Sequence, residues 1–184
     1  MDAVQPLFNL IHRDAVDVLA WSAAHDTGAI VYSPMASGLL SGSFTAARAA
    51  ALDDDDWRRR HPDFTGDALA RNLALTDLLA PIASRYGVTV AAVAVAWTLA
   101  VPGVTGAIVG VRRADQLDAW LSAASLALDD SDLTQIAEAI ERTGRVPVRR
   151  SPRTPRDARP HHDASRFAKR SARVLDVGAE SSRG

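Results

Sequence analysis

IVYSPMASGLLSG, residues 30–42, is the stretch from which the rest of the chain is interpreted. It begins as a short apolar strand, predicted over residues 29–32, and it ends in a loop rich in Ser and Gly with one Pro. A buried strand that opens into such a loop brings backbone N–H groups and hydroxyls to a phosphate. A plain strand followed by a turn is the alternative interpretation of this stretch by itself.

A strand and a helix are predicted upstream of this stretch. Residues 4–10 have the pattern of a strand that runs into a loop. Asp14 is expected to cap a helix, and Gly28 is expected to end it. The apolar positions of this helix recur at helical spacing at Val16, Leu19, Ala20 and Ala23. Strand, helix and strand joined by short links are typical of an α/β protein with a parallel sheet.

Residues 43–68 interrupt the periodic pattern and predict a long surface loop, of the kind that closes over a ligand. Four consecutive Asp residues occupy positions 53–56. Consecutive carboxylates do not converge on one ion without a sharp turn, so a solvated charge run is predicted there and no metal site.

Helical patterns return beyond this loop. One helix is predicted from about Leu69 to Gly87, and a second, apolar all round and therefore buried, follows the cap residue Thr89 over residues 90–100. A short strand is predicted over residues 106–110. Two amphipathic helices then follow, the second capped by Ser131. Their predicted buried faces are Leu117, Trp120, Leu121 and Ala124, and then Leu133, Ile136, Ala137 and Ile140.

The charge distribution divides the 184 residues into two parts. Residues 1–144 carry 10 Arg and no Lys against 18 acidic residues, whereas residues 145–184 carry 11 basic residues against 4 acidic ones. The second part is rich in Arg and Pro, has no apolar stripe, and is predicted to be a disordered tail. Its one aromatic residue, Phe167, argues against a stacking platform for nucleic acid.

Composition also excludes some classes of protein. Cysteine is absent, so thiolate metal sites and thiol nucleophiles are excluded. No run of 18 uncharged apolar residues occurs, and residues 1–12 do not resemble a signal peptide. A cytoplasmic protein without membrane spans is the expectation.

Four segments, in order, resemble the aldo-keto reductase family. Residues 4–13 resemble its VQxxYNLLxR segment, residues 32–42 its YSPLAxGLLTG segment, residues 88–102 its GxTxAQLALAWxLxxP helix, and residues 107–117 its AIxGARxxxQL segment. The resemblance implies the C-terminal part of a (β/α)8 barrel, about strands six to eight, over residues 1–144. Ligands of such barrels bind at the C-terminal ends of the strands, where these motifs fall.

The resemblance also implies a site for NADP(H), used by the family to reduce aldehydes and ketones. Gln5 matches the residue that hydrogen-bonds the nicotinamide carboxamide, and Tyr32 matches the residue on which the nicotinamide ring stacks. Arg112 matches an arginine near the adenosine 2′-phosphate. The remaining matched positions serve the pyrophosphate or the adenosine end of the cofactor, and they are Ser33, Met35, Ser37, Gly38, Gly110 and Gln116.

Trp120 departs from the family pattern. It stands where the family usually carries an Asn that contacts adenine. Its position among the apolar residues of a predicted helix predicts core packing instead, which leaves recognition of adenine unassigned.

No catalytic residue is assigned. The family's proton-donating Tyr and its Asp, Lys and His partners come from the N-terminal half of the barrel, and the chain's one lysine is Lys169, in the tail. Two hypotheses follow: an oxidoreductase that takes an aldehyde or ketone once an N-terminal half complements it, or a non-catalytic fragment or NADP-binding partner module. Three strands of an eight-stranded barrel also leave open edges, which predicts self-association.

Overall fold

Three parallel strands form the sheet of the computed structural model, which describes residues 2–144. They are β1 (Ala3–Val4), β2 (Gly28–Tyr32) and β3 (Gly106–Ile108), and β2 lies between the other two. Val4 pairs with Ala29, and Tyr32 pairs with Ile108. The predicted α/β class with a parallel sheet is confirmed. The register also places the ends of β2 and β3 side by side.

The two faces of the sheet differ in their surroundings. Ala29 and Val31 point to one face and are fully buried, whereas Ile30 and Tyr32 point to the other and are 41% and 43% exposed. Ile108, opposite Tyr32, is 45% exposed. The helices therefore cover one face of β2, and a row of large apolar side chains remains in contact with solvent on the other.

Six α-helices and five short 3-10 helices accompany the sheet over residues 2–144. The α-helices are α1 (Val16–Ala24), α2 (Ala46–Ala50), α3 (Gly66–Tyr86), α4 (Val90–Ala100), α5 (Asp118–Leu121) and α6 (Asp130–Arg142). The 3-10 helices cover Ala36–Ser41, Trp57–Arg60, Pro62–Phe64, Ala114–Gln116 and Ser122–Ala124.

The α3–α4 pair forms the centre of the core and agrees with the sequence prediction. Gly87 ends α3 in a left-handed conformation, and the Thr89 hydroxyl accepts a hydrogen bond from the N–H of Ala92 at the start of α4. Because α4 is apolar on every side, it is buried from its second residue to Thr98. The indole of Trp97 stacks on the ring of Phe8 with 5.8 Å between ring centroids.

Helix α1 is shorter than predicted. Ala15, not Asp14, is its N-cap residue, and no side chain caps it. The helix ends before His25, while Gly28 belongs to β2 because its N–H donates to the carbonyl of Asp2. Ala20 and Ala23 are exposed, since α1 buries only Leu19 and Ser22 and packs Val16 partly against the core.

The prediction of an unbroken loop over residues 43–68 is wrong, and α3 begins three residues before Leu69. Local caps organise this segment: the Thr45 hydroxyl accepts from the N–H of Arg48, and the Asp56 carboxylate accepts from the N–H of Arg58. Phe44 and Phe64 are buried against each other, edge to face, at 5.3 Å. These caps and this aromatic contact give short helices where periodicity shows none.

The predicted helix with a face of Leu117, Trp120, Leu121 and Ala124 is also wrong. The segment breaks into α5 and two 3-10 helices, which leaves Leu117 and Leu121 39% and 57% exposed and buries Ala123 instead. In α6, Ile136 and Ile140 are buried as predicted. Its cap is Asp129, which forms a reciprocal capping box with Asp132 and takes the place assigned to Ser131.

The predicted disordered tail, residues 145–184, lies outside the described residues. Within residues 2–144, no single helix is long and apolar enough to cross a membrane; only α3 and α4 taken together, bent by 94°, meet the length and composition criterion.

Candidate functional site

A cavity of about 810 Å³ lies at the C-terminal ends of β2 and β3. Parallel strands end at the same edge of a sheet, so the segments that follow these two strands meet there. Tyr32 and Ile108, the last residues of the two strands, both line it. The start of α4 and the segment over residues 43–58 supply the other walls.

The loop after β2 turns sharply along the cavity. Ser33, Ala36 and Ser37 all have positive φ, at 58°, 47° and 54°, and Gly38 has φ of 103°. Such conformations cost non-glycine residues about 1–3 kcal/mol each and persist only where the surroundings enforce them. The carbonyl of Met35 accepts from the N–H groups of Gly38 and Leu40, at 3.0 and 3.1 Å, and holds the turn closed.

Gly42 ends this loop where α4 passes close to it. A Cβ atom at Gly42 would lie 2.9 Å from the Cβ of Val90, and the φ of Gly42 is 76°. Only glycine satisfies both conditions without a shift of the backbone. The loop is therefore fixed against the N-terminus of α4, beside Thr89 and Ala91 of the cavity wall.

The segment over residues 43–58 contributes two arginines to the cavity wall. Arg58 is buried and forms a bidentate ion pair with Asp56, with Nε to Oδ1 at 2.9 Å and a terminal nitrogen to Oδ2 at 2.5 Å. This hydrogen-bonded pair lowers the pKa of the Asp56 carboxyl to about 2. The guanidinium groups of Arg48 and Arg58 each lie 5.8 Å from the ring centroid of Phe44. Sequence reasoning missed both arginines, although they fall in the segment predicted to cover a ligand.

The segment after β3 forms the opposite wall. The N–H of Arg112 donates to the side-chain oxygen of Gln116 at 2.9 Å, which closes the turn that leads to α5. The charge of Arg112 also contributes to the low pKa of Asp56. The Arg112 guanidinium and the Arg58–Asp56 pair therefore lie close enough to interact.

Asn9 is a further residue that sequence reasoning did not single out for the site. It is fully buried, and its side-chain oxygen accepts from the N–H groups of Ile11 and His12, both at 2.8 Å. Its amide nitrogen bonds to the strained loop after β2. Its place inside the matched segment of residues 4–13 is the sequence signal that would have identified it.

Eight of the nine residues predicted to bind a cofactor line this one cavity: Tyr32, Ser33, Met35, Ser37, Gly38, Gly110, Arg112 and Gln116. The ninth, Gln5, is an exposed residue just after β1 and is not part of the lining. Trp120 lines the cavity and also packs against a buried cluster that contains Ala92 and Ala123. Trp120 therefore packs in the core, as predicted, and also contacts the cavity.

The lining chemistry suits an anionic, partly aromatic ligand. Hydroxyls of Ser33, Ser37, Ser41 and Ser43 and the three guanidinium groups are phosphate-binding groups, and Tyr32 offers a half-exposed ring. Among residues 2–144, no group of three or more His, Asp or Glu residues is arranged to hold a metal ion. Tyr86, the other tyrosine, does not line the cavity: its hydroxyl donates to Asp132 at 2.5 Å, which raises its pKa.

Comparison with known proteins gives consistent results. A family model described as the aldo/keto reductase family matches residues 1–141. The aldo-keto reductase YhdN of Bacillus subtilis is 29% identical over 150 residues, which is 80% of this chain and 45% of that protein. A probable voltage-gated potassium channel subunit beta of Arabidopsis thaliana is 31% identical over 116 residues, which is 61% of this chain and 35% of that protein.

A solved structure agrees with these matches. The glycerol dehydrogenase of Gluconobacter oxydans superposes with a TM-score of 0.70 at 27% identity, covering 83% of this chain and 45% of that one. The chain thus spans less than half the length of each of these relatives.

Proposed function

The chain belongs to the aldo/keto reductase family, and on that premise we propose that it carries the NADPH-binding part of a carbonyl reductase. The observation that supports this most strongly is the convergence on one cavity of eight cofactor-binding candidates from two separate segments of the chain, residues 32–38 and 110–116. The proposal includes that β1, β2 and β3 correspond to about the sixth to eighth strands of the family barrel.

The cavity suits a dinucleotide in volume and in the chemistry of its lining. A volume of about 810 Å³ is in the range of small-molecule sites. Four positive-φ residues between β2 and Gly42, namely Ser33, Ala36, Ser37 and Gly38, curve the backbone along the cavity, and a Cβ at Gly38 would meet open space. Hydroxyls, backbone N–H groups and arginines surround the cavity and provide donors to phosphate oxygens.

The residues predicted to bind the cofactor have separate proposed tasks. Tyr32 orients the nicotinamide by ring stacking, since a flat contact fixes which face of that ring meets the substrate. The loop from Ser33 to Gly38 encloses the pyrophosphate with N–H groups and hydroxyls. Gln5, which lies outside the lining, is proposed to bind the carboxamide, because its side chain offers both a donor and an acceptor. A bound reduced dinucleotide supplies the hydride for carbonyl reduction.

Arg112 is the proposed reason for a preference for NADPH over NADH. Its guanidinium forms charge-assisted hydrogen bonds with a 2′-phosphate, which NADH lacks. Gln116 holds the backbone of Arg112 through the 2.9 Å hydrogen bond and so directs this arginine toward the cavity.

The proton donor for the alkoxide is proposed to come from the N-terminal half of the family barrel. Within residues 2–144, Tyr86 is held by Asp132 outside the cavity, Tyr32 is assigned to stacking, and the sequence of this range contains no lysine. The residues described here are therefore proposed to bind and orient the cofactor. The proposed substrate is an aldehyde or ketone that reaches the nicotinamide ring stacked on Tyr32.

A second candidate function is that of a module that binds the nucleotide and associates with another protein but catalyses no reaction. The 31% identity to a protein named a probable potassium channel subunit beta favours it, since that name describes association with another protein. The half-exposed row of Ile30, Tyr32 and Ile108 is a surface that such association, or self-association, would cover.

Binding and turnover of NADPH by the purified 184-residue chain separate these functions. We expect saturable NADPH binding by calorimetry, with weaker binding of NADH. Oxidation of NADPH in the presence of small aldehydes, monitored at 340 nm, would establish reductase activity in the chain alone. Binding without oxidation would support the module function, and an absence of any binding would refute the proposed site.

A further inference from the structure

A hydrogen bond between His12 and Asp63 joins two segments that lie far apart in the chain. The imidazole Nε2 of His12 is 2.7 Å from Oδ2 of Asp63, and the two side chains are 32% and 18% exposed. An ionised carboxylate only accepts, so Nε2 carries the proton and donates it. Neither residue lines the cavity. Any effect of this pair on a ligand therefore passes through other side chains.

Each partner of this hydrogen bond is fixed by its own surroundings. The N–H of His12 donates to the side-chain oxygen of Asn9 at 2.8 Å, which ties His12 to the loop after β1. The N–H of Asp63 donates to Nδ1 of His61 at 3.2 Å, which caps the 3-10 helix Pro62–Phe64. The pair thus connects the end of β1 to this short helix.

The short helix also carries a buried ring that two cavity-lining rings contact. Phe64, next to Asp63 in the chain, is 4% exposed. Its ring meets those of Phe44 and Trp57 edge to face, with 5.3 Å and 5.7 Å between centroids. Phe44 and Trp57 both line the cavity. We call the rings of Phe44, Trp57 and Phe64 the aromatic support.

Two arginines of the cavity wall rest on the aromatic support. The guanidinium groups of Arg48 and Arg58 each lie 5.8 Å from the centroid of the Phe44 ring, within the range of a cation–π contact. A continuous series of contacts therefore leads from His12, through Asp63 and the aromatic support, to two positive charges at the cavity.

We propose that His12 and Asp63 are positioning residues, which hold the aromatic support and so place Arg48 and Arg58 for an anionic ligand. The inference rests on the NADPH site proposed above. A guanidinium that is already held in place loses less conformational entropy when it binds a phosphate than a mobile one does. The hydrogen bond thereby raises affinity without contact with the ligand.

Calorimetric titration of the full chain with NADPH tests this role. H12A removes the donor, and we expect the dissociation constant to rise about three- to fivefold, as the loss of a partly exposed ion pair predicts. H12Q places an amide N–H near the position of Nε2 and should bind within about twofold of the original chain. H25A is the matched control, because His25 bonds to the carbonyl of Trp21 on α1 at 2.8 Å, away from the cavity lining.

The acceptor is tested separately. D63A removes the carboxylate and is expected to lose the same affinity as H12A. The double variant H12A/D63A should bind no more weakly than either single variant, since all three lack the same hydrogen bond. Hydrogen exchange without ligand should become faster over residues 57–64 in H12A and D63A, but not in H12Q or H25A.

The outcomes separate this inference from the proposed function. Unchanged NADPH binding in H12A, an equal loss in H12Q, or losses that add in the double variant would overturn the inference, while the proposed function would stand. An absence of NADPH binding by the original chain would refute both. Thermal melts verify that each variant folds, and D63A tests the same hydrogen bond if H12A does not.

Discussion

The side-chain amide of Asn9 donates a hydrogen bond to the main-chain carbonyl of Ser33 at 2.9 Å. Asn9 follows β1 and Ser33 follows β2, so this one contact joins the ends of two adjacent strands. Ser33 is also the first positive-φ residue of the loop that lines the cavity. A buried side chain outside the cavity thereby holds a strained backbone segment in its shape.

Replacing Asn9 with Asp tests this connection. Asp keeps the oxygen that accepts from Ile11 and His12 but loses the donor to Ser33. We expect a loss of about 1–3 kcal/mol in the free energy of unfolding, typical of an unsatisfied buried group, and weaker NADPH binding in titration. Asn72→Asp is the matched control, because Asn72 is equally buried and its side-chain amide donates to the carbonyl of Asp63 instead of to the loop after β2. Equal loss of NADPH affinity in both variants would contradict the assignment.

Replacing Arg112 with Gln is expected to weaken NADPH binding roughly 10- to 100-fold, as the loss of charge-assisted hydrogen bonds to a phosphate predicts. NADH binding should change little, because it has no 2′-phosphate. Parallel titrations with the two dinucleotides measure the difference. Arg142→Gln, which removes an exposed arginine paired with Glu138 on α6, serves as the control. An equal loss of affinity for NADPH and NADH in R112Q would show that Arg112 has a structural role and does not contact the 2′-phosphate.

Replacing Gly42 with Ala should destabilise the chain by about 2–4 kcal/mol, since overpacking against Val90 adds to the cost of a positive φ. Gly66→Ala separates the two causes: Gly66 also has positive φ, at 52°, but a Cβ there meets open space. We expect G66A to cost about 1 kcal/mol, the backbone contribution alone. Denaturant unfolding of both variants measures the difference, and equal values would show that Val90 moves aside freely.

The Arg58–Asp56 ion pair predicts that the thermal stability of the chain depends on pH in the acid range. The pKa of Asp56 is lowered from 3.8 to about 2 in the folded chain, so its contribution is complete above about pH 4 and is lost as the pH falls toward 2. Asp56→Asn lacks this contribution at every pH. We therefore expect the difference in Tm between the original chain and D56N to shrink between pH 4 and pH 2. Asp54→Asn, whose carboxylate is 94% exposed, should show no comparable difference at any pH.

The uncovered face of the sheet predicts self-association of the purified chain. Ile30→Asp introduces a charge on that face without touching the cavity lining, and should reduce the apparent mass in sedimentation experiments. Val18→Asp, at a similarly exposed apolar residue on α1, is the control for a general effect of charge. A compact monomer with cooperative unfolding in the original chain would contradict this prediction.

Local signals allowed the main elements to be predicted. The Thr89 cap, the stop at Gly87 and the all-apolar composition of α4 act within one or two turns of helix, so sequence alone identifies them. The same is true of β2 and of the loop beyond it. Short-range interactions are represented in the order of residues, and these predictions agree with the structure, although the caps predicted at Asp14 and Ser131 do not.

Other elements depend on contacts between distant segments. The short helices between Phe44 and Phe64 form around a ring contact between residues 20 positions apart. The break at α5 follows from the packing of Trp120 and Ala123 on α4, which leaves Leu117 and Leu121 exposed. Apolar periodicity measures which side chains share a helix face, but it does not show which face a neighbouring element covers.

The sequence by itself determined the α/β class, the two central helices, and the identity of eight residues around the cavity, because each depends on local pattern or on motif. Only the tertiary structure decided that Arg48, Arg58 and Asn9 belong with that site and that Gln5 lies apart from the cavity lining. The physical reason is that β2 and β3 end side by side. Their register joins segments more than 70 residues apart, and neither segment contains information about the other.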